Sequence, residues 1–279
     1  MKKILITGAN SYIGVSFDVF MQNFGQDYKV DTVDMIDGTW RGKDFSAYDV
    51  VFHVAGIAHQ KETKENAPSY YKINRDLAIE VATKAKEQGV KQFVFLSTMS
   101  VYGMNTGVIT KDTPPSPKSN YGKSKLQAEE QILLLQSDNF VVTVLRPPMV
   151  YGKDCRGNFQ SVVKLVKKTC IFPRVKNQRS LIYVENLCKQ VKWVIDKEYK
   201  GLFFPQNEEL IQTSKMAKLI AKKLGKKLYL SYILGFGVKV LTLFFKPAKK
   251  AFGSLIYDIE KEYDGGDLVK FEQSIEQSV

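Results

Sequence analysis

Through residue 150 the sequence alternates short apolar runs of strand length with longer segments that have a helical pattern. The runs that we predict to be strands are 3–8, 28–34, 49–56, 91–98 and 140–146. Their β-branched and aromatic residues are typical of parallel strands that are buried on both faces. Strands that alternate with helices favour an α/β fold with a doubly wound parallel sheet. After residue 150 the alternation loosens, which predicts a smaller C-terminal subdomain over most of 151–279, packed on the first domain rather than independent.

A glycine-rich turn, Gly8-Ala-Asn-Ser-Tyr-Ile-Gly14, joins the first predicted strand to a helix. Backbone N–H groups at such a helix N-terminus can receive a pyrophosphate. Ser11 stands where the usual fingerprint has its middle glycine, so the motif is one glycine short. Asp34 lies near the end of the second strand, where an acidic residue would meet ribose hydroxyls, and Asp31 is the competing candidate. The pattern predicts a Rossmann-type dinucleotide-binding domain over 1–150.

Tyr121 and Lys125 are four residues apart in a segment of good helix formers, so both lie on one helix face. A nearby ammonium group favours the ionised form of a tyrosine, whose hydroxyl normally titrates near pH ~10. The pair could therefore act as an acid/base at neutral pH. The alternative interpretation of this spacing is a solvated helix face. Five residues that we place at the carboxyl ends of strands, where ligands bind such sheets, favour the functional interpretation: Gly8, Asp34, Gly56, Thr98 and Pro147.

The net charge and the composition limit the kinds of ligand and partner that we expect for this chain. Two histidines, His53 and His59, and three cysteines without metal-like spacing argue against a metal site. Free thiols and an N-terminal apolar run too short for a signal peptide predict a cytoplasmic protein. The net charge of +12 suits an anionic partner, but the lysines are scattered and no nucleic-acid motif accompanies them. A solvated basic surface is the favoured interpretation, with no nucleic-acid partner.

The most apolar stretch of the chain is 232–245. It is too short to span a bilayer, and it contains Lys239. We expect a buried or subunit-facing helix, with association to a membrane interface as the less favoured alternative.

Several motifs together resemble the extended short-chain dehydrogenase/reductases, and within them the UDP-sugar 4-epimerases. The motifs are Thr7–Gly14, His53–Gly56, Tyr70-Tyr71 with Asn74, Leu96–Gly103 and Tyr121–Lys125. The chain is also similar to short bacterial members that include UDP-4-keto-hexosamine 4-reductases, whose Arg-Pro-Pro-Met-Val-Tyr-Gly segment is present as Arg146–Gly152. The resemblance weakens after Gly152.

The resemblance implies three catalytic residues. Tyr121 would be the acid/base, Lys125 would lower the pKa of Tyr121 and bind the nicotinamide ribose, and Thr98 would hydrogen-bond the sugar O4. The residues implied at the cofactor are Gly8, Ser11, Tyr12, Ile13, Gly14, Asp34, Asp44, Phe45, Val54, Ala55, Gly56, Asn74 and Pro148, of which Asp44 and Phe45 would contact the adenine. Asn158 and Arg179 would bind the UDP diphosphate, and Met99 would line the sugar site. The second phosphate-binding arginine has no clear counterpart, and Lys249 and Lys250 are the nearest candidates.

The function implied is that of an NAD-dependent nucleotide-sugar 4-epimerase, with NADP as the alternative cofactor. The substrate would be a UDP-hexose or UDP-N-acetylhexosamine in polysaccharide precursor synthesis, and the enzyme would be a homodimer. A UDP-4-keto-6-deoxy-hexosamine 4-reductase is the alternative, because the same three side chains serve both reactions. A non-catalytic dinucleotide-binding protein is a more distant one.

Overall fold

The computed structural model describes residues 1–58 and 60–279, and describes only the backbone of residues 246 and 247. His59 lies outside the described residues. The strands are β1 Lys2–Thr7, β2 Tyr28–Val33, β3 Val50–His53, β4 Gln92–Leu96, β5 Gly107–Ile109, β6 Val141–Leu145, β7 Met149–Tyr151, β8 Ile171–Pro173, β9 Leu181–Tyr183, β10 Gly201–Phe203, β11 Tyr229–Ser231 and β12 Leu255–Tyr257. The helices are α1 Tyr12–Met21, α2 Ala67–Tyr70, α3 Leu77–Glu87, α4 Asn120–Leu133, α5 Asn158–Lys168, α6 Val184–Asp196, α7 Thr213–Lys223, α8 Tyr232–Phe244, α9 Lys246–Phe252 and α10 Phe271–Ser278.

The described chain forms two compact units. The first comprises 1–103, 115–147 and 187–205, and the second comprises 104–114, 148–186 and 206–279. Residues from 148 onward belong mostly to the second unit, close to the expected boundary at residue 150. Residues 187–205 are the exception, because they belong to the first unit. The reason is a strand pairing, because β10 lies parallel to β6 with Gly201 opposite Thr143.

The first unit is built on a six-stranded parallel sheet in the order β10-β6-β4-β3-β1-β2. β1 lies between β2 and β3, with Thr7 opposite both Val33 and His53. Buried side chains of the strands pack with those of α3 and α4 to form the core. The predicted α/β fold with a Rossmann-type parallel sheet is confirmed. The register brings the carboxyl ends of β1, β2 and β3 to one edge, which positions the residues described below.

His53, the last residue of β3, is fully buried between the rings of Phe93 and Phe95. Its Nδ1 shares a hydrogen bond of 2.7 Å with the hydroxyl of Thr7. Burial, assisted by the charge of Lys125, lowers the pKa of His53 to about 3. His53 is therefore a neutral core residue at physiological pH.

The His53 pKa predicts a loss of stability in acid. In the unfolded chain His53 has an ordinary pKa of ~6.5, so below that pH it binds a proton that it does not bind in the folded protein. The free energy of unfolding therefore falls as the pH falls from ~6.5 toward about 3. At pH ~4 the loss in the free energy of unfolding reaches about 3 kcal/mol, because each pH unit below the pKa of the unfolded state costs about 1.36 kcal/mol. Urea unfolding of the parent and of His53→Gln at several pH values should show a shallower slope below pH ~6.5 for the variant. Equal slopes would show that His53 is not the group that titrates.

The second unit contains three two-stranded parallel pairs, β5 with β12, β7 with β9, and β8 with β11. The hydroxyl of Tyr151 hydrogen-bonds the side chains of Ser274 and Asn207 within its core. This network ties α10 to β7.

Helix α8 differs from the sequence expectation. Its apolar side chains are exposed, Ile233 by 85% and Phe244 by 78%, so the helix is not buried within the chain, and the expectation that it faces another subunit stays a prediction. Gly235 is its one buried residue. Among the described residues no helix is both long and apolar enough to cross a bilayer.

Candidate functional site

Helix α4 begins at the edge of the sheet and carries Tyr121 in its first turn. The N-cap Ser119 accepts a hydrogen bond from the Gly122 N–H at 3.1 Å. The Glu62 carboxylate accepts from the N–H groups of Asn120 at 2.9 Å and Tyr121 at 3.1 Å. These acceptors satisfy the N–H groups that a helix start leaves unpaired, and a carboxylate is favoured there. Together they fix the position from which the Tyr121 side chain extends.

The structure brings Thr98 and Tyr121 together. Thr98 lies two residues after β4, is 9% exposed, and accepts a hydrogen bond from the Ser100 N–H at 3.1 Å. Burial of the hydroxyl raises the pKa of Tyr121 above its ordinary value, and the nearby Thr98 hydroxyl acts in the opposite direction with a smaller effect on this pKa. Tyr121 is therefore protonated in the protein alone.

In the protein alone, burial keeps the pKa of Tyr121 above its ordinary value although Lys125 lies one turn away on the same helix, and the expected effect of Lys125 stays a prediction. Its ammonium donates to the Leu96 carbonyl at 2.9 Å and lies 4.6 Å from the centre of the Phe95 ring. Burial lowers the pKa of Lys125 to about 8, partly offset by the charge of Glu129. The i, i+4 spacing gives the shared helix face correctly but not the direction of the Lys125 side chain.

Asn74 connects the end of β3 to α4. It lies in a π-helical turn, Tyr71–Asp76, a rare feature that is frequent at functional sites. Its side chain bonds both the N–H and the carbonyl of Ile57, at 2.8 and 3.1 Å, and donates to Ser124 at 3.3 Å. A Cβ on Gly56 would lie 2.9 Å from the Asn74 Oδ1 and 3.4 Å from the Lys125 Nζ. Gly56, Asn74 and Lys125 are thus neighbours, as a shared site requires.

The glycine-rich turn has the form of a phosphate cradle. Gly8 has φ +108°, and a Cβ there would lie 2.8 Å from the Ala55 N atom. Ser11, which replaces the middle glycine, is the N-cap of α1 and accepts from the Gly14 N–H at 3.1 Å. The helix therefore begins with Tyr12 and Ile13, and the glycine at position 8 lets the turn pass directly against the backbone of Ala55. The replacement of glycine by Ser11 caps the helix and leaves the cradle in place.

Asp34 rather than Asp31 follows the end of β2. One oxygen of its carboxylate accepts from the Asn10 side chain at 2.9 Å, which joins Asp34 to the glycine-rich turn. Asp31 lies within the strand and accepts from the Tyr48 hydroxyl at 2.9 Å. The guanidinium of Arg41, which could have reached a ribose phosphate, forms two hydrogen bonds with Glu80 instead. This geometry favours Asp34 as the ribose ligand.

The predicted adenine contacts are only partly available. Asp44 is exposed and its carboxylate accepts from the Ser46 N–H at 2.8 Å. The Phe45 ring is fully buried in the core, and its N–H donates to Gln88 at 2.7 Å. A core position for Phe45 follows from its apolar ring, which fills space beside Trp40. Asp44 is therefore the better candidate of the two for a contact to adenine.

The remaining predicted cofactor residues follow strand ends. Val54 and Ala55 come directly after β3 and donate to the Thr7 carbonyl at 3.1 and 3.0 Å. Pro148 is buried, three residues after the end of β6. Met99, predicted at the sugar, is 9% exposed and donates its N–H to the Pro147 carbonyl at 2.9 Å.

A buried ion pair that the sequence reasoning missed lies one turn beyond Lys125. Glu129 is 1% exposed at its side chain and pairs with Arg146 at 2.6 Å. Glu129 also accepts from Ser97, and Arg146 donates to the Tyr102 hydroxyl at 2.8 Å. The pair ties α4 to the ends of β4 and β6. A signal was present in the sequence, because residues 121, 125 and 129 share one helix face.

In the second unit, Asn158 and Arg179 line one cavity of about 230 Å³. Asn158 is the first residue of α5, and the Arg179 guanidinium donates to the carbonyls of Lys250 at 3.0 Å and Gly253 at 2.9 Å. No carboxylate in the described part of the chain forms an ion pair with Arg179, whose pKa is lowered by burial. Lys250, one of the two candidates for a second phosphate ligand, also lines this cavity. An uncompensated guanidinium in a cavity suits an anionic group.

A model of the NAD dependent epimerase/dehydratase family matches residues 4–202. The chain belongs to this family. UDP-glucose 4-epimerase from Vibrio cholerae is 30% identical over 252 residues, which cover 81% of this chain and 76% of that protein. N-acetyl-alpha-D-glucosaminyl-diphospho-ditrans,octacis-undecaprenol 4-epimerase from Escherichia coli O157:H7 is 26% identical over 202 residues, 68% of this chain and 60% of that protein.

The fold of this family member is shared by solved epimerases and reductases alike. UDP-glucuronic acid 4-epimerase from Bacillus cereus, solved in complex with NAD, has a TM-score of 0.75 at 20% identity, with 99% of this chain and 95% of that chain covered. A dTDP-4-dehydrorhamnose reductase from Clostridium acetobutylicum has a TM-score of 0.73 at 22% identity, covering 99% and 98%. The fold therefore does not separate the two activities. The cradle at Gly8, the N-terminus of α1 and the carboxylate of Asp34 fit NAD, the family's dinucleotide.

From the position of Asp34 we predict that the protein binds NAD(H) at least about tenfold more tightly than NADP(H), because the Asp34 carboxylate would repel the 2′-phosphate of NADP(H). Fluorescence titration with both reduced cofactors measures the ratio. Asp34→Asn should narrow the preference, whereas Asp31→Asn, whose carboxylate is bonded to Tyr48, should leave it unchanged. Tighter NADP(H) binding by the parent would contradict the assignment of Asp34.

Proposed function

We propose that the chain is an NAD-dependent nucleotide-sugar 4-epimerase that inverts C4 of a UDP-hexose or UDP-N-acetylhexosamine during polysaccharide precursor synthesis. The observation that carries the proposal is the position of Tyr121. This residue lies on the helix that also bears Lys125, and its hydroxyl lies next to Thr98, which follows the end of β4. Membership of the epimerase/dehydratase family and the relative from Vibrio cholerae support it. A cytoplasmic homodimer is part of the same proposal.

The catalytic side chains divide the work by their positions. Bound NAD would supply the hydride acceptor and donor for C4. Once Tyr121 has lost its own proton to solvent, its phenolate takes the proton of the sugar O4, and the hydroxyl so formed later returns it, while Thr98 holds that oxygen next to Tyr121. Lys125 is held through its bond to Leu96 and supplies a positive charge and N–H donors to ribose hydroxyls. Because burial raises the pKa of Tyr121, the protein without substrate holds this group in its protonated form.

The substrate diphosphate is assigned to the cavity of the second unit. Arg179 provides a planar guanidinium, Asn158 provides an amide at the start of α5, and Lys250 adds a second positive charge. Apolar side chains such as Phe172 and Leu181 line the same cavity and suit the flat face of a base. Arg179→Met is the variant that tests this assignment through the KM for the sugar nucleotide.

The deciding assay supplies UDP-glucose or UDP-N-acetylglucosamine without added reduced cofactor and follows the 4-epimer by NMR. Appearance of the epimer by the parent, and its loss in Tyr121→Phe, supports the proposal. The alternative is a UDP-4-keto-6-deoxy-hexosamine 4-reductase, which the resemblance of Arg146–Gly152 favours. Absence of epimer, together with oxidation of one reduced cofactor per 4-keto sugar, would establish the reductase instead.

A second substrate class, a sugar carried on polyprenyl diphosphate, enters the same assay. The relative from Escherichia coli O157:H7 is named for such a substrate. The observation that favours it here is the exposed apolar surface of α8, which is followed directly by α9, a helix that lines the Arg179 cavity. Epimerisation of a polyprenyl diphosphate sugar but not of the UDP sugars would replace the UDP assignment.

A further inference from the structure

Helix α8 places large apolar side chains in solvent. Its buried residue, Gly235, faces the backbone of Arg174, and a Cβ on this glycine would lie 2.2 Å from the Arg174 carbonyl oxygen. The close approach therefore depends on a glycine, and the larger side chains point away from the protein. The exposed set is Tyr232, Ile233, Leu234, Phe236, Val240, Leu241, Leu243, Phe244 and Phe245. We call these residues the α8 surface.

The α8 surface is unusual for a monomer in water. Scattered exposed apolar residues need no explanation, but a contiguous group marks contact with another apolar phase. Helix α8 has 13 residues, about 20 Å at 1.5 Å per residue. A bilayer core is about 30 Å thick, so α8 can lie in an interface but cannot cross it. Eight of these nine exposed apolar side chains lie on α8 itself, and so many on a single helix are typical of interfacial anchors.

The charge of the chain is concentrated around the same elements. Residues 155–184 contain seven Lys and Arg, residues 210–257 contain ten Lys, and neither segment contains Asp or Glu. These seventeen basic residues exceed the net charge of +12, so the rest of the chain has five more acidic than basic residues. Both segments belong to the second unit, and the second of them contains α8. The second unit has 21 basic and 12 acidic residues, a net charge of +9, against +3 for the first unit, so most of the net positive charge lies in the unit that bears the α8 surface.

Cationic groups accompany α8 along its length. The Arg174 guanidinium lies 4.4 Å from the centre of the Tyr232 ring at the start of the helix. Lys239 is exposed in the middle of the helix, and Lys249 and Lys250 follow in α9. Apolar side chains with flanking lysines match the arrangement that binds the headgroup region of an anionic bilayer.

We propose that the α8 surface docks this protein on the surface of an anionic lipid bilayer, with α8 in the interfacial plane. The apolar side chains enter the boundary between headgroups and acyl chains, and Lys239 and Lys249 bind lipid phosphates. A second copy of the chain is a poorer occupant, because two such surfaces would bring lysines against lysines, and like charges across an interface are unfavourable.

Flotation with lipid vesicles tests the proposal directly. The full-length protein is mixed with vesicles of phosphatidylcholine alone or of phosphatidylcholine with phosphatidylglycerol, at low and high salt. Binding is expected on the vesicles that contain phosphatidylglycerol, with a weaker signal on phosphatidylcholine and a decrease at high salt. The double variant Leu243→Glu/Phe244→Glu should lower vesicle affinity at least about tenfold. Lys239→Glu should lower it about fivefold or more, since each lysine contributes about 1 kcal/mol.

Leu134→Glu is the matched control. Leu134 is 77% exposed in the first unit, comparable to Phe244, and its replacement should leave vesicle affinity unchanged. Equal flotation of the parent and the double variant would overturn the proposal, as would absence of the parent from the vesicle fraction. If sedimentation instead shows a dimer that the double variant dissociates, with no vesicle binding, a second copy covers α8 and the proposal is wrong.

The outcome is independent of the proposed enzymatic function. Vesicle binding by Tyr121→Phe should equal that of the parent, because Tyr121 lies in the first unit. Failure of the epimerase assay would leave the vesicle result standing, and failure of the vesicle assay would leave the UDP-sugar assay standing.

Discussion

Replacement of Tyr121 by Phe is expected to lower kcat for C4 epimerisation by about 10²–10⁴ while dinucleotide affinity is retained. The substitution removes only the hydroxyl next to Thr98 and leaves the ring in place on α4. The measurement combines NMR of the 4-epimer under saturating substrate with calorimetric titration of NAD(H).

Tyr48→Phe is the control for loss of a tyrosine hydroxyl in the same unit. Its hydroxyl bonds Asp31, away from α4, so turnover should stay close to that of the parent. Turnover of Tyr121→Phe within about tenfold of the parent would show that another group transfers the proton.

Replacement of Glu129 by Leu is expected to lower the free energy of unfolding by about 3–5 kcal/mol. The cause is the charge left behind, because Arg146 has a side chain only 7% exposed and would lose its carboxylate partner. Chemical denaturation measures the loss. The double variant Glu129→Leu/Arg146→Met should recover much of it, since the guanidinium is then removed together with its carboxylate partner.

An exposed pair provides the comparison for this prediction. Arg41 and Glu80 are about half exposed, so Glu80→Leu should change stability far less than Glu129→Leu. A near-neutral Glu129→Leu would mean that Arg146 finds another acceptor or water. The Glu129–Arg146 pair would then not be what holds α4 against β4 and β6.

The sequence was most informative where the determinant is local. The apolar runs and the Gly8–Gly14 turn predict the strands and the start of α1, because each depends on residues within one segment. Ser11 shows that a missing glycine need not weaken a glycine-rich motif. Its hydroxyl accepts a hydrogen bond at the start of α1, which a glycine without a side chain could not do. Residues 187–205 could not be assigned to the first unit in this way, because the pairing of β10 with β6 joins residues far apart in the chain.

Electrostatic roles were harder to predict than positions. The spacing of Tyr121 and Lys125 gives a common helix face, but the pKa of each group depends on burial by other elements. Likewise, apolar composition identified 232–245 as a helix without showing whether anything covers it. The catalytic roles of Thr98, Tyr121 and Lys125 remain predictions that the Tyr121→Phe measurement tests.

The position of β10 at the sheet edge has a consequence for synthesis of the protein on the ribosome. β6 is complete at Leu145, but its partner on one side, β10, ends at Phe203. While residues 146–203 are being made and leave the exit tunnel, a nascent sheet would present the backbone of β6 unpaired along that edge. Open edges of this kind invite pairing with other chains. We therefore expect chains truncated before residue 201 to aggregate, whatever the stability of their first five strands.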